Sequence, residues 1–153
     1  MDVKYINPFI ESTIHVLKTM AFTSASADKP FLKKDKLAKG DVSGVIGLTG
    51  DVDGTISISF AEKCILSIVS SMFGESKEDI NEEIRDAVGE IANMISGQAR
   101  QKIEGMGMTL QAAIPTVITG RDHIIEHITS SPIIAIPFRT EHGNFTIEIC
   151  FGD

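Results

Sequence analysis

Glu90 and Asn93 stand three residues apart within Asp86-Ala-Val-Gly-Glu90-Ile-Ala-Asn93-Met-Ile-Ser-Gly97. On a helix, that spacing separates the two side chains by about 60° around the axis, so both can reach one external site. An asparagine has no pKa that would let it act as a general base. It can hydrogen-bond a water and aim it, which suffices for phosphoryl transfer, where catalysis is mostly positioning and charge stabilisation. A carboxylate beside it can pair with a lysine on a partner, docking the helix and leaving Asn93 over the phosphorus. Asp86, Glu90, Asn93 and Gly97 recur at i, i+4, i+7 and i+11, with Gly89 and Ser96 flanking them. Interior glycine costs a helix roughly 1 kcal/mol relative to alanine. On a solvent face, Gly89 and Gly97 would be explained by the close approach of another backbone. The same E-x-x-N spacing occurs at Glu78/Asn81 and Glu141/Asn144. The first suits capping at a helix start and the third a hairpin turn. The competing reading of the middle pair is two solvated surface residues.

The element that must carry this pair is a long helix over about 78–104, ending near Gly105 and Gly107. Around Ile91 cluster Ile80, Ile84, Ala87, Val88, Met94 and Ile95, which form the core-facing stripe. Gln98 and Lys102 fall on that same side, so burial is expected to weaken toward the C-terminal end. Ile6, Phe9, Ile10, Thr13, Ile14, Leu17 and Met20 give a first helix over 5–21, with Pro8 in its first turn. A further helix spans 61–73 and stops at Gly74. Strands are expected at 29–36, 42–48, 55–60, 109–114, 116–119, 123–129, 133–139 and 144–151. Gly50 to Gly54 and Glu141 to Gly143 make the turns. Alternation in 55–60 reads as a half-buried strand, Ile56, Ile58 and Phe60 against Ser57 and Ser59.

Thr55 to Phe60 and Thr146 to Phe151 share the pattern T-I-x-I-x-F, each after a turn and a preceding strand. A duplicated helix-plus-strands unit accounts for this, as does the general likeness of half-buried strands. The fold class is α+β: a two-layer arrangement of pseudo-duplicated units, with long helices packed on antiparallel sheet, in one domain spanning 1–153.

The 153 residues carry a formal net charge of −7. That excludes a nucleic-acid-binding surface and attraction to an anionic membrane. The longest uninterrupted apolar run, Ile133 to Phe138, is far too short to cross a bilayer. The N-terminus lacks the layout of a secretory signal, so a cytoplasmic location is expected. Lys33, Lys34, Lys36 and Lys39 read as a solvated strand or edge loop. Cys64 and Cys150 read as buried small hydrophobes. His123 and His127 could share a strand face as metal ligands, but no further ligand completes a site, and ordinary strand histidines are expected.

The stretch from Asp86 to Gly97 resembles the active-site helix of the CheC/CheX/FliY phosphatases of bacterial chemotaxis. Pro115-Thr-Val-Ile-Thr-Gly-Arg-Asp122 and Val45-Ile-Gly-Leu-Thr-Gly50, followed by Gly54-Thr55, also resemble the CheX branch, and the resemblance covers nearly the whole chain. It implies dephosphorylation of the response regulator CheY, with Glu90 as docking carboxylate and Asn93 as water-orienting amide. It implies pseudo-symmetric halves, a homodimer, and no cofactor, since the divalent metal and the phosphoaspartate belong to CheY. CheC-type members often carry two such helices. Here the first helix reads Glu11-Ser12-Thr13-Ile14, with isoleucine where the amide would stand, which favours a single site. Relatives also include non-catalytic flagellar switch domains, so a docking module without chemistry is the alternative.

Overall fold

The computed structural model describes residues 3–35, 37–38, 40–120, 123–127 and 131–152. After a 3-10 turn at Val3–Tyr5, helix α1 spans Asn7–Ala21 with Pro8 in its first turn. It buries Phe9, Val16 and Leu17 and ends where Phe22 adopts a left-handed conformation. Helix α2, Glu62–Phe73, ends at Gly74, whose φ of 69° closes the last turn. Helix α3 spans Glu82–Glu104.

The strands are β1 (Ala25–Ala27), β2 (Phe31–Lys33), β3 (Val42–Gly50), β4 (Gly54–Phe60), β5 (Leu110–Ala112), β6 (Thr116–Thr119), β7 (Ile133–Thr140) and β8 (Gly143–Phe151). Among the described residues they form one antiparallel sheet in the order β1-β7-β8-β4-β3-β5, with β2 also pairing β7 and β6 also pairing β3. The two T-I-x-I-x-F segments are the central neighbours β4 and β8, with Ile56 opposite Ile149 and Ile58 opposite Ile147. In topology the two halves match: hairpin β3–β4 and hairpin β7–β8 each supply one strand of this central pair, with α1 opening one half and α3 the other. The short strands after α1 edge the second hairpin, and those after α3 edge the first. The core lies between helices and sheet, where Phe138 stacks on Phe145 at 4.9 Å and Phe60 lies 5.2 Å from Phe145.

Four expectations change. Strand β4 is not half-buried: all seven of its residues are buried. Its serine face is covered by the link after β6. His123 Nε2 lies 2.6 Å from Ser43 Oγ, which lies 2.6 Å from Ser59 Oγ. Within 123–127 that link is not a strand but makes one bridge, Ile124 to Leu37; residues 128–129 lie outside the described residues. The histidines are therefore loop residues that tie the cover to the sheet. Lys33 is not solvated: it is 7% exposed and its Nζ donates to the buried Glu148 Oε2 at 2.7 Å, while His127 Nε2 sits 3.2 Å from Glu148 Oε1. A carboxylate this deep must be paired, and Lys33 supplies the charge. Lys34 is exposed; Lys36 and Lys39 lie outside the described residues. Finally, Ala25–Ala27, which lies outside every strand expected from the sequence, forms β1, because β7 offers it an edge. Cys64 and Cys150 are both buried, and the Cys150 thiol donates to the Ser131 carbonyl at 3.2 Å. Among the described residues no helix is long and apolar enough to cross a membrane.

Candidate functional site

Helix α3 begins on a side-chain cap. Asn81 is extended, and its Oδ1 accepts the Ile84 N–H at 3.1 Å, satisfying one of the first-turn donors. Glu82 and Glu83 in the first turn and Lys102 in the last complement the helix dipole. Ile84, Val88, Ile91, Ile95, Ala99 and Ile103 are each 0–1% exposed. Gln98 is half-buried and Lys102 exposed, as expected of that side, while Ala99 and Ile103 carry the buried stripe to the helix end. The reason is that α3 has two large neighbours. It lies on β3, where Gly44 keeps the backbone low: a Cβ there would sit 3.2 Å from both Val88 Cγ1 and Ala92 Cβ. It also lies against α1, where Lys102 Nζ pairs with Glu11 Oε2 at 2.9 Å. A helix held along two sides is a stiff platform for what projects from its third.

On that third side Asp86, Glu90 and Asn93 are exposed, and neither the Glu90 nor the Asn93 side chain hydrogen-bonds another described residue. The expected flank of six divides here. Gly89 and Ser96, read as surface positions, are buried, and Gly97 is half-buried. A Cβ on Gly89 would lie 3.5 Å from Val117 Cγ2 and 3.9 Å from Pro115 Cβ, so edge strand β6 covers it. Ser96 is 1% exposed, and its Oγ has no hydrogen-bond partner among the described residues. At Gly97 the nearest group is Arg100 Nη2, 4.0 Å from a Cβ position. At Gly89 this chain's own edge strand thus occupies the place read for a partner, whereas at Gly97 only Arg100 comes near. A helical projection shows which residues share a face, not what packs on it.

Arg100 escaped the sequence reading. Its Nη1 donates to the Leu110 carbonyl at 3.5 Å, and its buried Nε has no partner among the described residues. Two turns beyond Asn93 on the same flank, it could have been found from spacing alone. Ile114, on the link between β5 and β6, also escaped it.

The first helix does not repeat the site. Glu11 is tied to Lys102, and Ile14, at the amide's position, is half-buried. An open cleft of about 550 Å³ lies at the N-terminal end of α3, lined by Asp41, Glu62, Asp79, Ile80, Asn81, Arg85, Thr119 and Gly120. It includes neither Glu90 nor Asn93. That pair projects outward, an arrangement suited to a reacting group carried in by a macromolecule. Among the described residues no group of three His, Cys, Asp or Glu side chains could hold a metal ion.

The family described as chemotaxis phosphatase CheX matches residues 42–139. The CheY-P phosphatase CheX of Thermotoga maritima is 29% identical over 123 residues, covering 80% of this chain and 79% of that protein. The crystal structure of a chemotaxis protein CheX from Desulfovibrio desulfuricans is 48% identical, with a TM-score of 0.91 over 97% of this chain and 99% of that one. A chain of the CheX–CheY–BeF3–Mg2+ complex from Borrelia burgdorferi is 25% identical, with a TM-score of 0.84 over 99% of this chain and 100% of that one. The family match spans well over half of the sequence and takes in all of α3 with its exposed Glu90 and Asn93, and this chain belongs to the CheX family of chemotaxis phosphatases.

Proposed function

We propose that this protein hydrolyses the aspartyl-phosphate of a CheY-type response regulator, using Glu90 and Asn93. The observation that carries the reading is the pair itself: a carboxylate and a carboxamide, exposed and unengaged by described neighbours, on a helix held along two sides. Glu90 pairs with a cationic side chain of the regulator and fixes the helix over the phosphoaspartate. The Asn93 carboxamide hydrogen-bonds a water and holds it in line with the bond to be broken. Water oxygen bonds to phosphorus, the phosphorus–carboxylate bond breaks, and the products are inorganic phosphate and the regulator's free aspartate. Developing charge on the phosphoryl oxygens is met by a divalent cation of the regulator, so this chain brings no cofactor of its own. Asp86 and Gly97 border the docking face, while Gly89 and Ser96 shape it from beneath.

The test is the lifetime of the phosphorylated regulator with wild-type protein, with Asn93→Ala, and with no addition. The expected outcome is faster loss with wild type alone, a reduction in kcat of about a hundredfold for Asn93→Ala, and an unchanged melting temperature. Equal lifetimes in all three, with binding retained, would instead make the protein a docking module without chemistry.

We place the protein in the cytoplasm with its regulator and read it as a homodimer. Support for the dimer comes from apolar exposure along the β2 edge, where Phe31, Leu32, Leu37 and Ile124 all lie open. Sedimentation equilibrium giving a monomer mass at micromolar concentration would refute it.

A further inference from the structure

Ile114 is 89% exposed, more than any other large apolar side chain described. It is not on a loose loop. The link that carries it joins β5 to β6, and both sides are pinned to β3: the Ala113 N–H donates to the Gly47 carbonyl at 2.9 Å, and Thr116 pairs with Val45. The link also runs beside α3. Pro115 and Val117 pack at Gly89, and the Leu110 carbonyl accepts from Arg100. Gly89, Asn93, Ser96 and Arg100 are spaced i, i+4, i+7 and i+11, so they form one flank of the helix. Residues between Leu110 and Pro115 must therefore pass that flank between Gly89 and Arg100, at the level of Asn93. Ile114 is in that passage. Other exposed apolar residues gather on the β2 edge or at the C-terminal ends of helices, as Met20, Phe73 and Met106 do.

A fixed backbone, a fully exposed β-branched side chain and a neighbouring reactive pair have the features of an interface anchor, an apolar residue that gains its burial only when a partner arrives. We propose that Ile114 is a specificity-determining anchor for the response regulator, packing on apolar surface beside the regulator's phosphoaspartate as Asn93 comes over it. The inference rests on the phosphatase reading for the identity of its partner. The surrounding surface offers Asp86 and Glu90, charges that steer and orient. Ile114 supplies what those charges cannot, a contact strengthened by excluding water.

The experiment measures binding of the beryllofluoride-activated regulator by titration calorimetry to wild type, Ile114→Ser and Ile114→Leu, and steady-state dephosphorylation by the same three. The expected result is about a tenfold weaker Kd for Ile114→Ser, near-full recovery for Ile114→Leu, and a rise in KM with kcat unchanged. Melting temperatures should coincide, because an open side chain contributes little to the fold. An unchanged Kd for Ile114→Ser, or no binding by wild type, overturns the anchor. Wild-type binding without any shortening of the phosphate lifetime would overturn the phosphatase reading instead, while a weakened Kd in Ile114→Ser would leave the anchor standing.

Discussion

Replacing Gly89 by alanine tests the packing of the site's own edge. The sequence suggested a glycine kept bare for a partner; the structure places Val117 and Pro115 over it. A Cβ at 3.5 Å from Val117 Cγ2 and 3.9 Å from Pro115 Cβ is in ordinary van der Waals contact. The new methyl therefore fits without moving β6. Alanine in a helix interior is favoured over glycine by about 1 kcal/mol. Burial of the methyl adds a fraction of the ~0.8 kcal/mol expected for a full methylene. For a chain of 153 residues, the sum corresponds to a melting temperature higher by about 2–7 °C. Gly89→Leu should reverse the sign, because its branches would enter Val117 and Pro115 and force the edge strand away at a cost of about 1–3 kcal/mol. Thermal unfolding followed by circular dichroism reads both. In parallel, kcat/KM of Gly89→Ala on the phosphorylated regulator should stay within about twofold of wild type. A lower melting temperature for Gly89→Ala would refute the packing argument. A large loss of activity at unchanged stability would show that a partner reaches Gly89 after all.

Asn81→Ala should lower stability by about 1 kcal/mol through loss of the cap on Ile84 N–H, visible as a lower urea midpoint; equal midpoints would remove Asn81 from that role. Glu148→Ala should cost about 3–5 kcal/mol, because it leaves the buried Lys33 with only the exposed Asp35 carboxylate, 3.8 Å away, as counter-charge. A variant that unfolds at the wild-type temperature would show that water reaches Lys33. Burial pushes the Cys64 thiol above its ordinary value of 9.0, against a smaller opposing effect of a hydrogen bond with Thr140. Its contribution to stability is then complete below that value and is lost as pH rises past it, since the unfolded thiol ionises first. Stability measured from pH 8 to pH 10.5 should fall less steeply in Cys64→Ala than in wild type, and parallel slopes would contradict this.

The periodic elements were legible because their burial is local in sequence. Ile84, Val88, Ile91 and Ile95 announce α3, and Asn81 announces its start. Alternation in β4 and β8 gave their positions and their likeness. The errors all involve a distant segment. Nothing near Ser57 and Ser59 says that the link after β6 will cover them, and nothing near Lys33 says that Glu148 will be beneath it. Ala25–Ala27 is too short and polar to read as a strand until β7 offers an edge. At the site, spacing gave the exposed Asp86, Glu90 and Asn93 correctly. It misplaced Gly89 because β6, a third neighbour of the helix, leaves no trace in the helical period, and it misplaced the buried Ser96 as well.

The exchange of edge strands between the two halves has a consequence for how the chain reaches this structure. When residues through α2 have been made, hairpin β3–β4 has two bare sides, and β1 and β2 have nothing to pair with. Their partners, β5 to β8, all follow α3. Neither half is a smaller copy of the whole that could form and wait. Native pairing is dominated by contacts between residues far apart along the chain, the condition that slows two-state folding toward the millisecond-to-second range. A nick in the link between α2 and α3 would produce two fragments that acquire structure only by finding each other, with a second-order rate set by their concentration.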